Sequence, residues 1–159
     1  MYEMSVGHGS NFLINIGPDN RGLLPEADVK RILELAERIK AAYDKPASFT
    51  EPEKDGDVYT LTHTEKNNAE YWATPYEEAL SNCVMIKEDL TNGQSVESFS
   101  VYAYLPYYQH KKILVFEGKT IGHKVLCKFS PLRASKYEVV INSYSGDYAI
   151  KDIKVFYAK

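Results

Sequence analysis

"SNCVMIKEDLTNGQSVESFSVYAY", residues 81–104, holds two strand-length runs separated by turn chemistry. Cys83–Lys87 is a continuous apolar run ending in a charge, and Asn92-Gly93 is a strong turn signal. From Ser98 to Leu105 the side chains alternate, with Phe99, Val101, Ala103 and Leu105 on one face and Ser100, Tyr102 and Tyr104 on the other. That period of two belongs to a strand with one face buried. The same pattern recurs outward in both directions, at Val58–His63, Lys112–Glu117, His123–Phe129, Tyr137–Asn142 and Tyr148–Tyr157. Glu117-Gly118-Lys119, Ser130-Pro131 and Ser145-Gly146-Asp147 punctuate these runs. Many short strands at close intervals, with no helical period between them, predict an antiparallel β-sandwich or jelly roll.

The first third of the chain reads differently. "VGHGSNFLINIGPDNRGLLPEADVKRILELAERI", residues 6–39, offers a glycine-rich lead-in, an apolar run, a polar turn and a helix. Phe12–Ile16 suits a strand covered on both faces, as in a parallel sheet. Gly17-Pro18-Asp19-Asn20-Arg21-Gly22 is dense turn chemistry, with Gly22 expected at positive φ. Pro25 suits the start of a helix, where Glu26 and Asp28 complement its dipole and Lys40 and Lys45 its far end. Val29, Ile32, Leu33, Ala36, Ile39 and Tyr43 form one apolar stripe at helical spacing. A lone strand and a one-faced helix need neighbours, so this segment is expected to be part of a larger parallel α/β domain. Residues 44–57, "DKPASFTEPEKDGD", rich in charge and proline, read as a connector. The organisation expected is therefore 1–45 as a strand–helix unit, 46–57 as a linker and 58–159 as the sandwich.

Composition narrows the partners. The 159 residues carry a net charge of −3 and no long basic run, which argues against nucleic acid and anionic membranes. No segment reaches membrane-spanning length, and the first residues do not form a signal peptide. The two cysteines, Cys83 and Cys127, lie in apolar strand runs as buried thiols, with a disulfide the alternative; no Cys/His spacing suits a metal. His8, His63, His110 and His123 are dispersed.

Residues 6–39 resemble the C-terminal end of the catalytic barrel of family 29 α-L-fucosidases. That family carries a "V-x-x-G-G-N-x-L-L-N-I-G-P" strand and a "D-G-x-I-P" turn before its last helix. Here Ser10 replaces the second glycine and Leu23-Leu24 precedes Pro25. "EYWAT" (70–74), residues 81–104, "GKTIGHKVLCKF" (118–129) and "DIKVFY" (152–157) resemble, in order, blocks of the family's galactose-binding-like sandwich domain. The resemblance implies that the strand and helix are the eighth β/α unit of a (β/α)8 barrel, and that the chain is a C-terminal fragment. It further implies a retaining hydrolase that releases terminal L-fucose without a cofactor. Such a hydrolase needs a carboxylate nucleophile and a carboxyl acid/base about 5–5.5 Å apart; by resemblance both lie upstream, so no catalytic residue is expected in this chain. Barrel active sites gather at strand C-termini, which makes Gly17, Pro18, Asp19 and Asn20 candidates for the substrate-pocket rim. The partners implied are an upstream barrel and a fucosylated glycan, and family habit implies a secreted, periplasmic or lysosomal location.

The remaining residues offer little chemistry. The acidic pairs Glu51/Glu53, Asp55/Asp57, Glu77/Glu78 and Glu88/Asp89 fall in charged segments, whereas a general acid needs a desolvated carboxyl. Trp72, Tyr107, Tyr108, Tyr144 and Tyr148 lie in or near predicted loops, where aromatic faces can cover the apolar face of a sugar. Trp72 also suits the sandwich core or the interface with the barrel. Tyr107 and Tyr108, being adjacent, cannot both point inward from one strand. Two functional readings result: structural support of a fucosidase barrel, or a carbohydrate-binding or docking module without catalysis. The unmatched helix stripe adds an expectation of packing on the sandwich flank, or of self-association through residues 10–40.

Overall fold

The computed structural model describes residues 1–64, 80–105 and 111–158. Two helices, α1 (Tyr2–Ser5) and α2 (Glu26–Tyr43), precede eight strands. These are β1 (Glu53–Asp55), β2 (Val58–Thr62), β3 (Leu80–Glu88), β4 (Val96–Leu105), β5 (Lys111–Gly118), β6 (Val125–Arg133), β7 (Lys136–Tyr144) and β8 (Ile150–Phe156). They build two antiparallel sheets, ordered β1-β2-β7-β4-β5 and β6-β3-β8. The expected sandwich is thus formed, and every strand read between residues 58 and 159 is present, several longer at their ends.

The core lies between the sheets and follows from alternation. Phe99, Val101 and Ala103 of β4 and Tyr137, Val139 and Ile141 of β7 face Val84 and Ile86 of β3, Val125 and Cys127 of β6, and Ile153 and Val155 of β8. Each large apolar side chain so buried contributes roughly 1.5–3 kcal/mol. One polar pair joins this core: the Ser81 and Tyr137 hydroxyls share a hydrogen bond of 2.6 Å. Its presence allows a tyrosine to be fully buried without an unsatisfied oxygen.

β3 is apolar on both faces because both are covered. Its outward residues Cys83 and Met85 cluster with Leu126 and Phe156, and Tyr2 and Tyr43 pack on them. Tyr43 meets Phe156 edge-on, with ring centroids 5.7 Å apart. The two cysteines thus face opposite sides of the three-stranded sheet, and both are free thiols. This settles their chemistry in favour of buried thiols.

The N-terminal segment departs from expectation in two ways. Phe12–Ile16 belongs to no strand, because among the described residues no strand pairs with its backbone; upstream of it His8 bridges Val125, at the β6 edge. The helix forms over the expected residues, with Pro25 just outside its first turn, yet none of its residues is fully buried. Its stripe docks only at the C-terminal end, through Tyr43, while Val29 and Leu33 stay exposed.

The stretch read as a linker is not all connector. Glu53–Asp55 pairs with β2 around a turn at Gly56. Before it, the Ala47 N–H donates to Val155 O at 2.8 Å, Thr50 N–H to Thr62 O at 2.8 Å, and Thr64 N–H to Ser48 O at 3.0 Å. Phe49 lies against Tyr137, ring centroids 5.4 Å apart. The segment is therefore stitched to β8 of one sheet and to β2 of the other. Its proline and charge content concealed this, since the pairing is with distant residues.

Candidate functional site

The proposed rim residues form a self-contained loop. The Asp19 carboxylate accepts the Arg21 and Leu23 backbone N–H groups at 2.8 and 3.1 Å. It also pairs with the Arg21 guanidinium at 2.7 Å. Hydrogen bonds from the Arg21 side chain and the loop backbone hold the Asp19 carboxyl below the usual carboxylate range. Gly22, at φ +76°, closes the turn by donating to Asp19 O at 2.9 Å. Gly17, Pro18 and Asn20 are exposed around it. Asp19 is a loop organiser, pinned by its own neighbours, and none of the four touches the sandwich core.

At the sandwich, Tyr144 and Tyr148 come together with ring centroids 4.6 Å apart. Tyr144, at the end of β7, is 44% exposed. Tyr148 is half-buried behind it and donates its hydroxyl to Asp57 Oδ1 at 2.8 Å. Burial and the Asp57 bond raise the Tyr148 pKa, so the hydroxyl stays protonated. The Lys54 Nζ sits 4.9 Å from the Tyr148 ring centroid and 5.5 Å from that of Tyr59, a cation–π arrangement. Lys54 and Asp57 flank the β1–β2 turn; Lys54 carried no signal in the sequence and Asp57 only that of a charged pair with Asp55, because only the fold brings that turn beside the β7–β8 loop. Trp72, Tyr107 and Tyr108 lie outside the described residues, as do Glu77, Glu78 and His110.

Among the acidic pairs one needs correction. Glu88 is not solvated: it is 2% exposed. Its Oε1 accepts Ser95 N–H at 2.7 Å and Val96 N–H at 2.9 Å, and its Oε2 accepts Gly122 N–H at 3.1 Å. This clasp ties "EDLTNGQSV" to "GKTIG", the two sandwich blocks on which the family resemblance rests. Its acceptors serve the backbone, so it is a structural anchor. Among the described residues no group of His, Cys, Asp and Glu could hold a metal ion.

No protein-family model matches the chain, and no curated protein matches it. Solved structures do. An inferred α-L-fucosidase of Bacteroides ovatus superposes with a TM-score of 0.81 at 30% identity over 99% of this chain and 25% of its own. An inferred α-L-fucosidase of Bacteroides thetaiotaomicron gives 0.82 at 23% identity, over 99% of this chain and 33% of its own. A family 29 fucosidase of Ruminococcus gnavus, solved with fucose, gives 0.73 at 23% identity, over 99% and 35%. The chain thus spans between a quarter and about a third of the length of these proteins. Its structural neighbours are family 29 fucosidases, in agreement with the sequence blocks, and the match, over 99% of the chain, includes the N-terminal segment with α2 as well as the sandwich.

Proposed function

We propose, from its kinship with family 29 α-L-fucosidases, that this chain is the C-terminal part of such an enzyme and that its sandwich braces the catalytic barrel. Residues 1–45 then supply the last β/α unit of the barrel, 46–57 the crossing, and 58–159 the supporting domain. The observation that carries this reading is the unfinished surface of residues 12–39. Leu13 is 90% exposed and Leu33 58%, with Ile14, Leu23, Leu24 and Val29 also exposed, along a segment whose apolar pattern belongs to the inside of a parallel α/β domain. A neighbouring barrel strand beside Phe12–Ile16 and a neighbouring helix beside Val29 and Leu33 would cover this surface.

In the parent, terminal fucose is released with retention by a carboxylate nucleophile and a carboxyl acid/base. By resemblance both lie upstream of residues 6–18, and among the described residues the buried carboxylate, Glu88, is saturated by backbone donors. Gly17, Pro18, Asp19 and Asn20 would form part of the pocket rim once a barrel surrounds them. The purified chain should therefore show no hydrolysis of an aryl α-L-fucoside, and should raise the activity or stability of the upstream barrel when mixed with it. Turnover by the chain alone, lost on mutating one of its own carboxylates, would overturn the reading. In the absence of a barrel the same stripe favours self-association through residues 10–40, measurable by light scattering.

A further inference from the structure

We propose that the free edge of β5 is the interface with a second copy of this chain, the two strands pairing antiparallel about a two-fold axis so that two five-stranded sheets join into one. The inference goes beyond the fucosidase reading and does not draw on it.

The edges of the three-stranded sheet are both covered. At β6 the Leu126 N–H donates to Gly7 O at 2.8 Å, and His8 bridges Val125. At β8, Val155 O accepts the Ala47 N–H, also at 2.8 Å. In the five-stranded sheet one edge is β1, only three residues long. The other is β5, eight residues long, and among the described residues only β4 pairs with it. Such an edge offers a row of backbone donors and acceptors to another strand. Its centre, Ile113-Leu114-Val115-Phe116, is apolar, and Leu114 is 48% exposed.

The ends of β5 decide the partner. Lys112 stands near its start and Glu117 near its finish, both exposed. Lys112 is on the outer face, its Nζ 4.3 Å from the Tyr102 ring centroid. Glu117 lies opposite Ser100, which alternates with the core residues Phe99 and Val101, so it shares that face. On a regular strand, residues an odd number apart point to opposite faces. Here the bulge at Val115, which leaves Leu114 opposite Tyr102 and Phe116 opposite Val101, brings Lys112 and Glu117 to the same one.

Facing residues of an antiparallel pair share a face. A two-fold axis between Leu114 and Val115 sets Lys112 of each copy against Glu117 of the other. It also sets Ile113 against Phe116, and both of these pack inward. The Lys112 ammonium has three donors, of which one serves Glu138. Lysines and bulges on an edge commonly deter pairing. A guard of one sign would repel a second copy, whereas β5 carries opposite signs at its two ends, which an antiparallel copy of itself complements.

The test is sedimentation of the whole 159-residue chain over a roughly hundredfold range of concentration, with amide hydrogen exchange at both ends of that range. One paired strand a side makes a smaller contact than a standard interface of about 1,600 Å². Dimer should therefore dominate only at the concentrated end, where the amides of residues 112–117 gain protection. Leu114→Lys and Glu117→Lys, changes at exposed side chains, bring like charges together across the axis and should each weaken dimerisation about tenfold. Leu33→Lys, on the apolar stripe of α2, should leave the protection of residues 112–117 unchanged. A monomer at every concentration, or a dimer that tolerates both β5 lysines or leaves residues 112–117 unprotected, would overturn the proposal. Association removed by Leu33→Lys and not by Leu114→Lys would also overturn it, and would locate the contact on the helix stripe. None of these outcomes bears on whether the chain completes a barrel, and failure to complement a barrel would leave a measured β5 dimer standing.

Discussion

Glu3 and Tyr43 are hydrogen-bonded across forty residues of sequence, the tyrosine hydroxyl donating to Glu3 Oε1 at 2.5 Å. The same oxygen accepts Lys128 Nζ of β6 at 2.6 Å. One carboxylate thus joins the start of the chain, the end of α2 and the outer face of the three-stranded sheet. Replacing Tyr43 by Phe keeps the ring on Phe156 and removes one charge-assisted bond, at a cost of about 1 kcal/mol. Amide exchange should show α2 opening faster, with the sandwich strands unchanged.

Glu88 offers a sharper change. Glu88→Gln retains the shape but turns an amide N–H₂ toward backbone donors that a carboxylate satisfied. A buried donor then faces a donor, and the expected loss is roughly 2–3 kcal/mol, read as a shift of the denaturant midpoint. Glu88→Asp, too short to span from β3 to Gly122, should not rescue it.

Acid should loosen the outer face of the five-stranded sheet through Glu138. Burial pushes its pKa up, but hydrogen bonds from Lys112 and Lys136, each 2.7 Å, win and hold it at about 2. A carboxyl depressed in the folded state adds stability above its unfolded pKa and loses it as pH falls toward the folded value. Stability should therefore drop between about pH 4.5 and 2, by about 2 kcal/mol after screening at the partly exposed lysines. Acid titrations of the wild type and Glu138→Gln should differ in that window.

The thiols give a prediction about oxidation. Burial pushes the Cys83 pKa up to about 12 and raises that of Cys127 as well. Facing opposite sides of one sheet, they cannot join without unfolding it. Mass spectrometry after mild oxidation should find two free thiols, and a thiol reagent should label them only at the rate of unfolding.

The legibility of this sequence divides by the range of the interactions. Alternation in Ser98–Leu105 announces β4 and its buried face directly, because side-chain period is local. The continuous run at Cys83–Ile86 announces a strand, while its second cover, Tyr2 and Tyr43, is visible only in the fold. Phe12–Ile16 carries an equally clear pattern but forms no strand, since a strand needs a partner and none among the described residues pairs with it. The Glu88 clasp was hidden for a related reason: its charge suggests solvent, and only the meeting of Ser95, Val96 and Gly122 makes a buried carboxylate stable. The Tyr144–Tyr148 pair was readable as loop aromatics, but its supports Lys54 and Asp57 arrive from a strand placed where a connector was expected.

That connector bears on motion. Ala47 N–H donates to Val155 O on one side, Thr50 N–H to Thr62 O and Thr64 N–H to Ser48 O on the other, and Phe49 lies against Tyr137, so residues 47–50 offer no pivot about which two bodies could swing. Hinges are segments that absorb backbone rotation without breaking contacts, and rotation here would tear bonds to both sheets at once. The end of α2 and the sandwich are therefore splinted, so that a push on the helix is transmitted to the sheets as torque.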